Sequence, residues 1–391
     1  MNAKVTLYSA VGKELTHYEV DVEGALLVKR KTIKVPAVVQ YAWPHPSKRY
    51  LYVATSNRGV GMKADFNHVI ACRIDPASGA LAPHGDPQPL YARAVHICLD
   101  RSGNHVLSAH NLPRTGITVN PINSDGTLAP AVAQPDGLDF GIYPHQVMMA
   151  PSNRTVILVD RGNDAASGKP EDPGALRLFG FDKGVLSNLA SIAPNGGYGF
   201  GPRHLDFHPA KPWVYVSLER QSKLYMYRMQ GDSLEPNAAF IRDTLADPEN
   251  KRPRQHAGTI HVHPNGRIVY VANRADWTVD YAGAQVFGGG ENSIAVYALD
   301  PATGEPTLIQ HADTHSIHVR TFAIDPSGRL LVAASIKPLA VREGAKVTTV
   351  PAALSVFRIG SDGKLEFVRK YDVDTGGKIH YWMGMFGLGE G

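Results

Sequence analysis

Within the stretch GPRHLDFHPAKPWVYVSLER (201–220), an arginine stands six residues before Pro209 and a glutamate ten residues after it. A His-Pro turn between two apolar, strand-like runs makes an antiparallel hairpin, so Arg203 and Glu219 emerge at the same end of it. Similar turns recur along the chain, and the same two offsets can be read in each copy. Six residues before the turn, successive copies carry Gln40, Val95, His145, Arg203, Gly258 and Arg320; one residue later come Tyr41, His96, Gln146, His204, Thr259 and Thr321. Ten residues after it stand Ser56, Asn111, Arg161, Glu219, Arg274 and Ile336.

Histidine and arginine at the start of otherwise apolar strands are costly to bury without a ligand or a charged partner. Arginine offers a rigid fork of donors suited to a carboxylate, a phosphate or a developing oxyanion. Histidine and glutamate exchange protons near neutral pH once burial has tuned them. His145, Arg203, Glu219 and Arg274 are therefore the candidate catalytic set, fitted to acyl transfer or proton transfer. His96, Asn111, Gln146, His204 and Arg320 are candidates for substrate binding. Taken singly, each of these residues also fits a structural role, since Arg–Glu pairs can tie neighbouring units together. The convergence of four at registered positions favours chemistry.

The elements that position them are repeats. Six segments share one template, at 43–56, 98–111, 149–162, 207–220, 262–275 and 324–336, and their turn points at Pro46, Arg101, Pro151, Pro209, Pro264 and Pro326 are 55, 50, 58, 55 and 62 residues apart. Such a period marks a repeat architecture. Each template holds two antiparallel strands, and a second recurring piece downstream adds a strand, an Asp/Gly turn and another short strand. One further copy of the second piece lies at 13–28, with its first half divided between the termini: 378–386 supplies the innermost strand and 5–10 the next. The sequence thus predicts an all-β, single-domain seven-bladed β-propeller over 1–391, with four-stranded antiparallel blades and a ring closed by both chain ends in one blade, which leaves no open seam. Connections at 57–67, 161–173, 276–292 and 337–351 are longer than the template needs. All four follow the second strand of a blade, so they are expected on one rim of the disc, where long loops often serve function. No helix-period segment of useful length is present.

Composition narrows the function classes. Of 391 residues 43% are apolar and 19% charged, enough for a large core. The 40 basic and 36 acidic residues give a net charge of +4 without a long Lys/Arg run, so no nucleic-acid partner is expected. No segment has the length of a membrane span, no secretory signal is visible at the N-terminus, and Cys72 and Cys98 read as buried core residues. Together these point to a cytoplasmic protein without a membrane partner; the oligomeric state stays open. His261 and His263 form an H-x-H pair without an accompanying carboxylate, and GFGPRH and FGGGEN open no helix after a strand, so neither metal nor cofactor is expected. Nothing resembles a nucleophilic Ser or Cys elbow.

GPRHLDFHP with VSLER, YPHQVMMAPSNRTV, and TIHVHPNGRIVYVANRA resemble the corresponding blades of the bacterial seven-bladed lactonases. That family includes the cycloisomerase-type 6-phosphogluconolactonase and is similar to fungal 3-carboxy-cis,cis-muconate lactonizing enzyme. The resemblance implies a propeller that opens or closes a sugar or muconate lactone without a metal. Carried over motif by motif, its His, Arg, Glu and second Arg fall on His145, Arg203, Glu219 and Arg274. The implied partner is a small, anionic lactone and the implied activity is lactone hydrolysis, with a lactonizing cycloisomerase or a non-catalytic binding propeller as the alternatives. His145 and Glu219 can exchange the roles of base and acid in such a scheme. The connections at 276–292 and 337–351 are longer than in the short-looped members, and of the extra cations a phosphate would need, Arg58, Arg161 and Arg320 are in view.

Overall fold

The computed structural model describes residues 4–57, 65–166 and 168–389. Seven antiparallel sheets follow one another along the chain and form the seven blades of a β-propeller. From the innermost strand outward, blade 1 is Val38–Pro44, Tyr50–Ser56, Asn67–Ile74 and Leu81–Pro89; blade 3 is Pro144–Met149, Thr155–Asp160, Ala175–Asp182 and Val185–Ile192. Blade 5 is His256–Val262, Ile268–Arg274, Ser293–Leu299 and Pro306–Asp313, and blade 6 is Val319–Ile324, Leu330–Ser335, Ala353–Ile359 and Leu365–Asp372. Blade 7 closes the ring as the sequence predicts: His380–Gly387 is innermost and pairs with Val5–Val11, followed by Glu14–Asp21 and Leu26–Lys34.

Two blades depart from the expected four regular strands, and proline is the reason in both. Blade 2 has three, Ala94–Leu99, His105–His110 and Gly116–Pro121. Its outer position is taken by an irregular segment bonded through Ala129 N–H to Pro121 O (2.9 Å) and Val132 N–H to Val119 O (2.8 Å). Pro130 and Pro135 interrupt it, and proline cannot donate to a ladder. In blade 4, Pro202–Phe207, Trp213–Leu218 and Lys223–Gln230 are regular, but the outer strand is split into Ser233–Leu234 and Phe240–Asp243 around Pro236.

The second strand of each blade is sandwiched between neighbouring blades, so runs such as YLYVATS, TVILVD and WVYVSL are buried at every position. They lack the alternation of a half-exposed strand because neither face meets water. The outermost strands carry the exposed Lys, Arg and Glu, as in Leu26–Lys34 and Leu365–Asp372, which blunts their open edges.

Polar ties repeat from blade to blade. Tyr8, Tyr52, Tyr215 and Tyr270 donate their buried hydroxyls to the carbonyls of Gly79, Gly126, Gly304 and Gly363 in the next blade, at 2.6–2.9 Å. His45, His208 and His263 of the His-Pro turns bond through Nε2 to the carbonyls of Gly103, Gly266 and Gly328, at 2.8–2.9 Å. Those glycines have φ near +70° and lie so close to the imidazoles that a Cβ would meet the ring. Backbone conformation and contact thus both require glycine there.

Of the four long connections, 58–64 of the first and Ser167 of the second lie outside the described residues. The third and fourth hold two-stranded hairpins, Thr278–Tyr281 with Ala284–Phe287 and Leu339–Glu343 with Lys346–Val350. They meet on one rim, where the Arg342 guanidinium lies 3.9 Å from the centre of the Tyr281 ring. The short 3₁₀ turns Pro194–Gly197 and Pro248–Asn250 are the helical elements among the described residues.

Candidate active site

Every innermost strand carries a register shift against its partner at the same level. The skipped residues are Gln40, Val95, His145, Arg203, Arg320 and Tyr381 in blades 1, 2, 3, 4, 6 and 7, and Gly258 with Thr259 in blade 5. A β-bulge takes one residue out of the ladder and re-aims its side chain. Seven bulges at one level make a ring of side chains at one mouth of the axial channel. Six of these positions are those found by counting back from the turns. The seventh, Tyr381, has no turn to count from because blade 7 is divided between the chain ends.

Across blades 3 to 5 the ring is strongly charged. Glu219, 2% exposed, receives Arg203 and Arg274 on Oε1 and Arg161 on Oε2, the last at 2.6 Å. Burial alone would raise its acidity constant, but Arg203, Arg274 and Arg161 outweigh it and hold the carboxyl well below the usual carboxylate range. Glu219 is therefore a fixed negative charge joining blades 3, 4 and 5. His145, 7% exposed, has an Nδ1 with no protein partner, and its ring lies 5.2 Å from that of His204. Burial, with Arg203 and His204 nearby, drives its pKa well below 6.5, so the imidazole is neutral at physiological pH.

The structure brings the four catalytic candidates into one electrostatic unit and distributes the binding candidates unevenly. His204 and His96 continue inward from His145, their rings 6.0 Å apart, and Tyr41 covers His96 at 3.9 Å. Both ring nitrogens of His96 and both amide atoms of Asn111 are buried without a protein partner. Gln146 is different: its amide accepts from Leu205 N–H at 2.6 Å and donates to Leu205 O at 3.2 Å. Both ends are taken up by the neighbouring blade, so this residue is a structural tie. Arg320 is half-buried, with its guanidinium 3.9 Å from the Tyr381 ring centre. Arg58 lies outside the described residues.

Sequence reasoning missed a second tier behind Arg274. Arg274 donates to His318 Nε2 at 2.6 Å, and His318 Nδ1 is 3.3 Å from Asp276 Oδ2. Asp276 is also held by Arg254 at 2.7 Å and Lys337 at 3.6 Å. Accepting from a guanidinium requires neutral His318, and burial pushes its pKa down to about 4 against the pull of Asp276. Asp276 and Lys337 are the first residues of the two long connections, so the rim hairpins and Arg274 share one network. The usable signal was His318, two residues ahead of the registered Arg320. Gly258 fits the same picture, since a Cβ there would come within 3.4 Å of Arg274 Cδ.

His261 and His263 do not act as a pair. His263 is one of the turn ties, whereas His261 Nδ1 faces Asp206 at 3.4 Å. Among the described residues no group of three or more His, Cys, Asp or Glu side chains is arranged to hold a metal ion. Cys72 and Cys98 are buried and unpaired.

The fold is that of a seven-bladed propeller with a charged ring at one mouth of its axis. Residues 2–339 match the family model described as "Lactonase, 7-bladed beta-propeller", and the chain belongs to that family. It is similar to the 6-phosphogluconolactonase of Pectobacterium carotovorum, with 27% identity over 86% of this chain and 89% of that one. A 6-phosphogluconolactonase of Yersinia pestis is 25% identical over 96% of both chains. Among solved structures, a putative 6-phosphogluconolactonase from Bacteroides fragilis superposes with a TM-score of 0.71, at 19% identity over 98% of both chains. The periplasmic gluconolactonase of Pseudomonas aeruginosa does so with a TM-score of 0.71, at 19% identity over 99% of this chain and 100% of that one.

Proposed function

We propose that the protein is a metal-independent lactonase that hydrolyses a sugar-derived lactone of the 6-phosphogluconolactone kind at the channel mouth formed by His145, Arg203, Glu219 and Arg274. The observation that carries this reading is Glu219 bound to three guanidiniums beside an imidazole whose buried Nδ1 has no protein partner. Family membership and the names of the relatives support the substrate class.

The roles follow from the electrostatics. Glu219 is a poor base, because both its oxygens already accept from arginines; it fixes the guanidiniums instead. His145 takes the proton of the attacking water as the water oxygen bonds to the lactone carbonyl carbon. Negative charge then develops on the carbonyl oxygen, where Arg203 and Arg274 stabilise it without reorganising. The ring C–O bond breaks, and the leaving alkoxide takes the proton back from His145. The product is the open hydroxy acid, which ionises at neutral pH. Negative charge developing on the carbonyl oxygen beside Arg203 offsets part of the positive field that, with burial, depresses His145 basicity, so the base strengthens as the reaction proceeds.

The test is lactone opening followed by pH-stat over aldonolactones, 6-phospho-δ-gluconolactone and muconolactones, before and after exhaustive chelation. Turnover that survives chelation and collapses in His145→Ala and Glu219→Gln is expected. No turnover of any lactone, or full activity in both variants, would contradict the assignment.

A further inference from the structure

The ring of bulged residues falls into two arcs. Blades 3 and 4 contribute His145 and Arg203, while blades 6, 7 and 1 contribute Arg320, Tyr381 and Gln40. The positions between them, Val95 in blade 2 and Gly258 in blade 5, are small and lie on roughly opposite sides of a sevenfold ring. On the innermost strands the two arcs form separate walls of the mouth, and at blade 5 Arg274 lies against Gly258 where they meet. One wall holds the reacting centre described above; the other has no role in it.

That second wall is built, and it is cationic. Arg93, from the connection between blades 1 and 2, donates through Nε to Gln40 Oε1 at 2.6 Å and through Nη2 to the Tyr381 hydroxyl. Arg320 donates through Nε to the Tyr381 backbone carbonyl at 3.2 Å. Its guanidinium lies 3.9 Å from the Tyr381 ring centre, and that of Arg93 lies 5.6 Å from it. Both Nη groups of Arg320 and the Nη1 of Arg93 have no hydrogen-bond partner among the described residues, and neither arginine has a carboxylate partner there. Tyr381 accepts from Arg93, so its own O–H proton remains to be donated. The contrast with the first wall is one of charge: Glu219 sits among Arg161, Arg203 and Arg274, whereas Arg93 and Arg320 face the neutral side chains of Tyr381 and Gln40. A cation–π contact is weaker than an ion pair and does not neutralise charge. Two half-buried guanidiniums with three unpartnered Nη groups between them and one phenol donor match an anion of two charges, which a phosphate monoester supplies and a single carboxylate does not.

We propose that Arg93, Arg320 and Tyr381 form a subsite for the phosphate of a phosphorylated sugar lactone, holding it across the mouth from His145 and Glu219. The proposal rests on the lactonase reading for the identity of the substrate, but its binding chemistry can be tested apart from turnover. Arg203 lies within electrostatic reach of both Arg320 and Tyr381, so the two walls act on one small molecule. Burial alone would raise the Tyr381 pKa, and Arg320, Arg93 and Arg203 together lower it, as expected of a phenol set among cations.

The experiment is calorimetric titration of the full chain with 6-phosphogluconate, gluconate, a muconate dicarboxylate and inorganic phosphate, repeated in Arg320→Gln, Arg93→Gln and Tyr381→Phe. Binding of 6-phosphogluconate at least about tenfold tighter than of gluconate or the dicarboxylate is expected. Loss of one charge-assisted contact in either arginine variant should weaken 6-phosphogluconate binding by about 10-fold or more and abolish the preference, and loss of the hydroxyl in Tyr381→Phe should weaken it by less. Melting temperatures, and Arg320→Lys, which keeps charge without the fork, separate lost recognition from lost fold: partial recovery of the preference in the lysine variant is expected. Inorganic phosphate should compete with 6-phosphogluconate and not with gluconate. Equal affinity for the phosphorylated and unphosphorylated acids, tighter binding of the dicarboxylate, or a preference untouched by all substitutions in folded protein would overturn the subsite. If phosphate-dependent binding is found and no lactone is opened, the hydrolase reading fails while the subsite stands.

Discussion

The two ends of the axial channel are lined by similar residues and do different things. At the His-Pro turns, a cavity of about 680 Å³ is bounded by His45, His208, His263, Trp43, Met148 and Phe386 among others. Three of those histidines bond to glycine carbonyls of the next blade, so their polar atoms are satisfied by the fold. At the other end, His145 has an unpartnered Nδ1 and the carboxylate beside it is surrounded by three arginines. The polar groups of the first end are taken up by the fold, and those of the second include a buried nitrogen left without a partner. Polar residues that obey the repeat hold blades together; those that break it are available to a ligand.

That contrast can be broken from either side. The largest effect is expected from Glu219→Gln, which leaves three buried guanidiniums without their shared counter-charge. Lactonase kcat/KM should fall by roughly 10²–10³ or more, and thermal unfolding should show a loss of about 3–5 kcal/mol. A variant that kept its activity would make the cluster a structural tie like those at the other end.

Next comes pH. His318 is neutral in the folded protein with a pKa of about 4, against 6.5 when unfolded, and His256 and His380 are likewise held near 4 by burial. Because the unfolded chain binds protons first, stability is complete above about 6.5 and declines as pH falls toward about 4. Protonation of folded His318, which sets in as pH approaches about 4, also removes the acceptor for Arg274, so kcat should drop there. In His318→Gln, whose amide oxygen accepts but does not titrate, the activity limb should move to lower pH. An unmoved limb would detach His318 from Arg274.

The smallest effect belongs to the ties. Tyr215→Phe removes one buried hydroxyl from Gly304 O and should cost about 0.5–1.5 kcal/mol in denaturant melts with kcat unchanged.

The propeller was legible because its period is written in turns and in the buried second strands, and even the divided blade could be assembled from 5–10 and 378–386. Proline explains the two irregular outer strands, but the sequence does not say which ladder bonds a given proline removes. The charged half of the mouth was legible for a geometric reason: a bulge at one level of each blade puts residues at a fixed count from the turn onto one ring. Tyr381 and Arg93 escaped that count, one in the blade without a turn and the other in a connection between blades. Gln146 passed it and is a tie, because a registered position gives direction and not partners. His318 and Asp276 belong to contacts between blades 5 and 6, which a repeat read one copy at a time does not contain.

On the proposed function the charged mouth, and not the cavity at the His-Pro turns, carries the activity. The most direct test is a side-by-side measurement of kcat on 6-phospho-δ-gluconolactone, with melting temperature, for His145→Ala and His208→Ala. The expected result is a loss of about 10²–10⁴ in kcat with little change in melting for His145→Ala, and the reverse for His208→Ala. Activity that survives in the first and disappears in a stably folded second would contradict it.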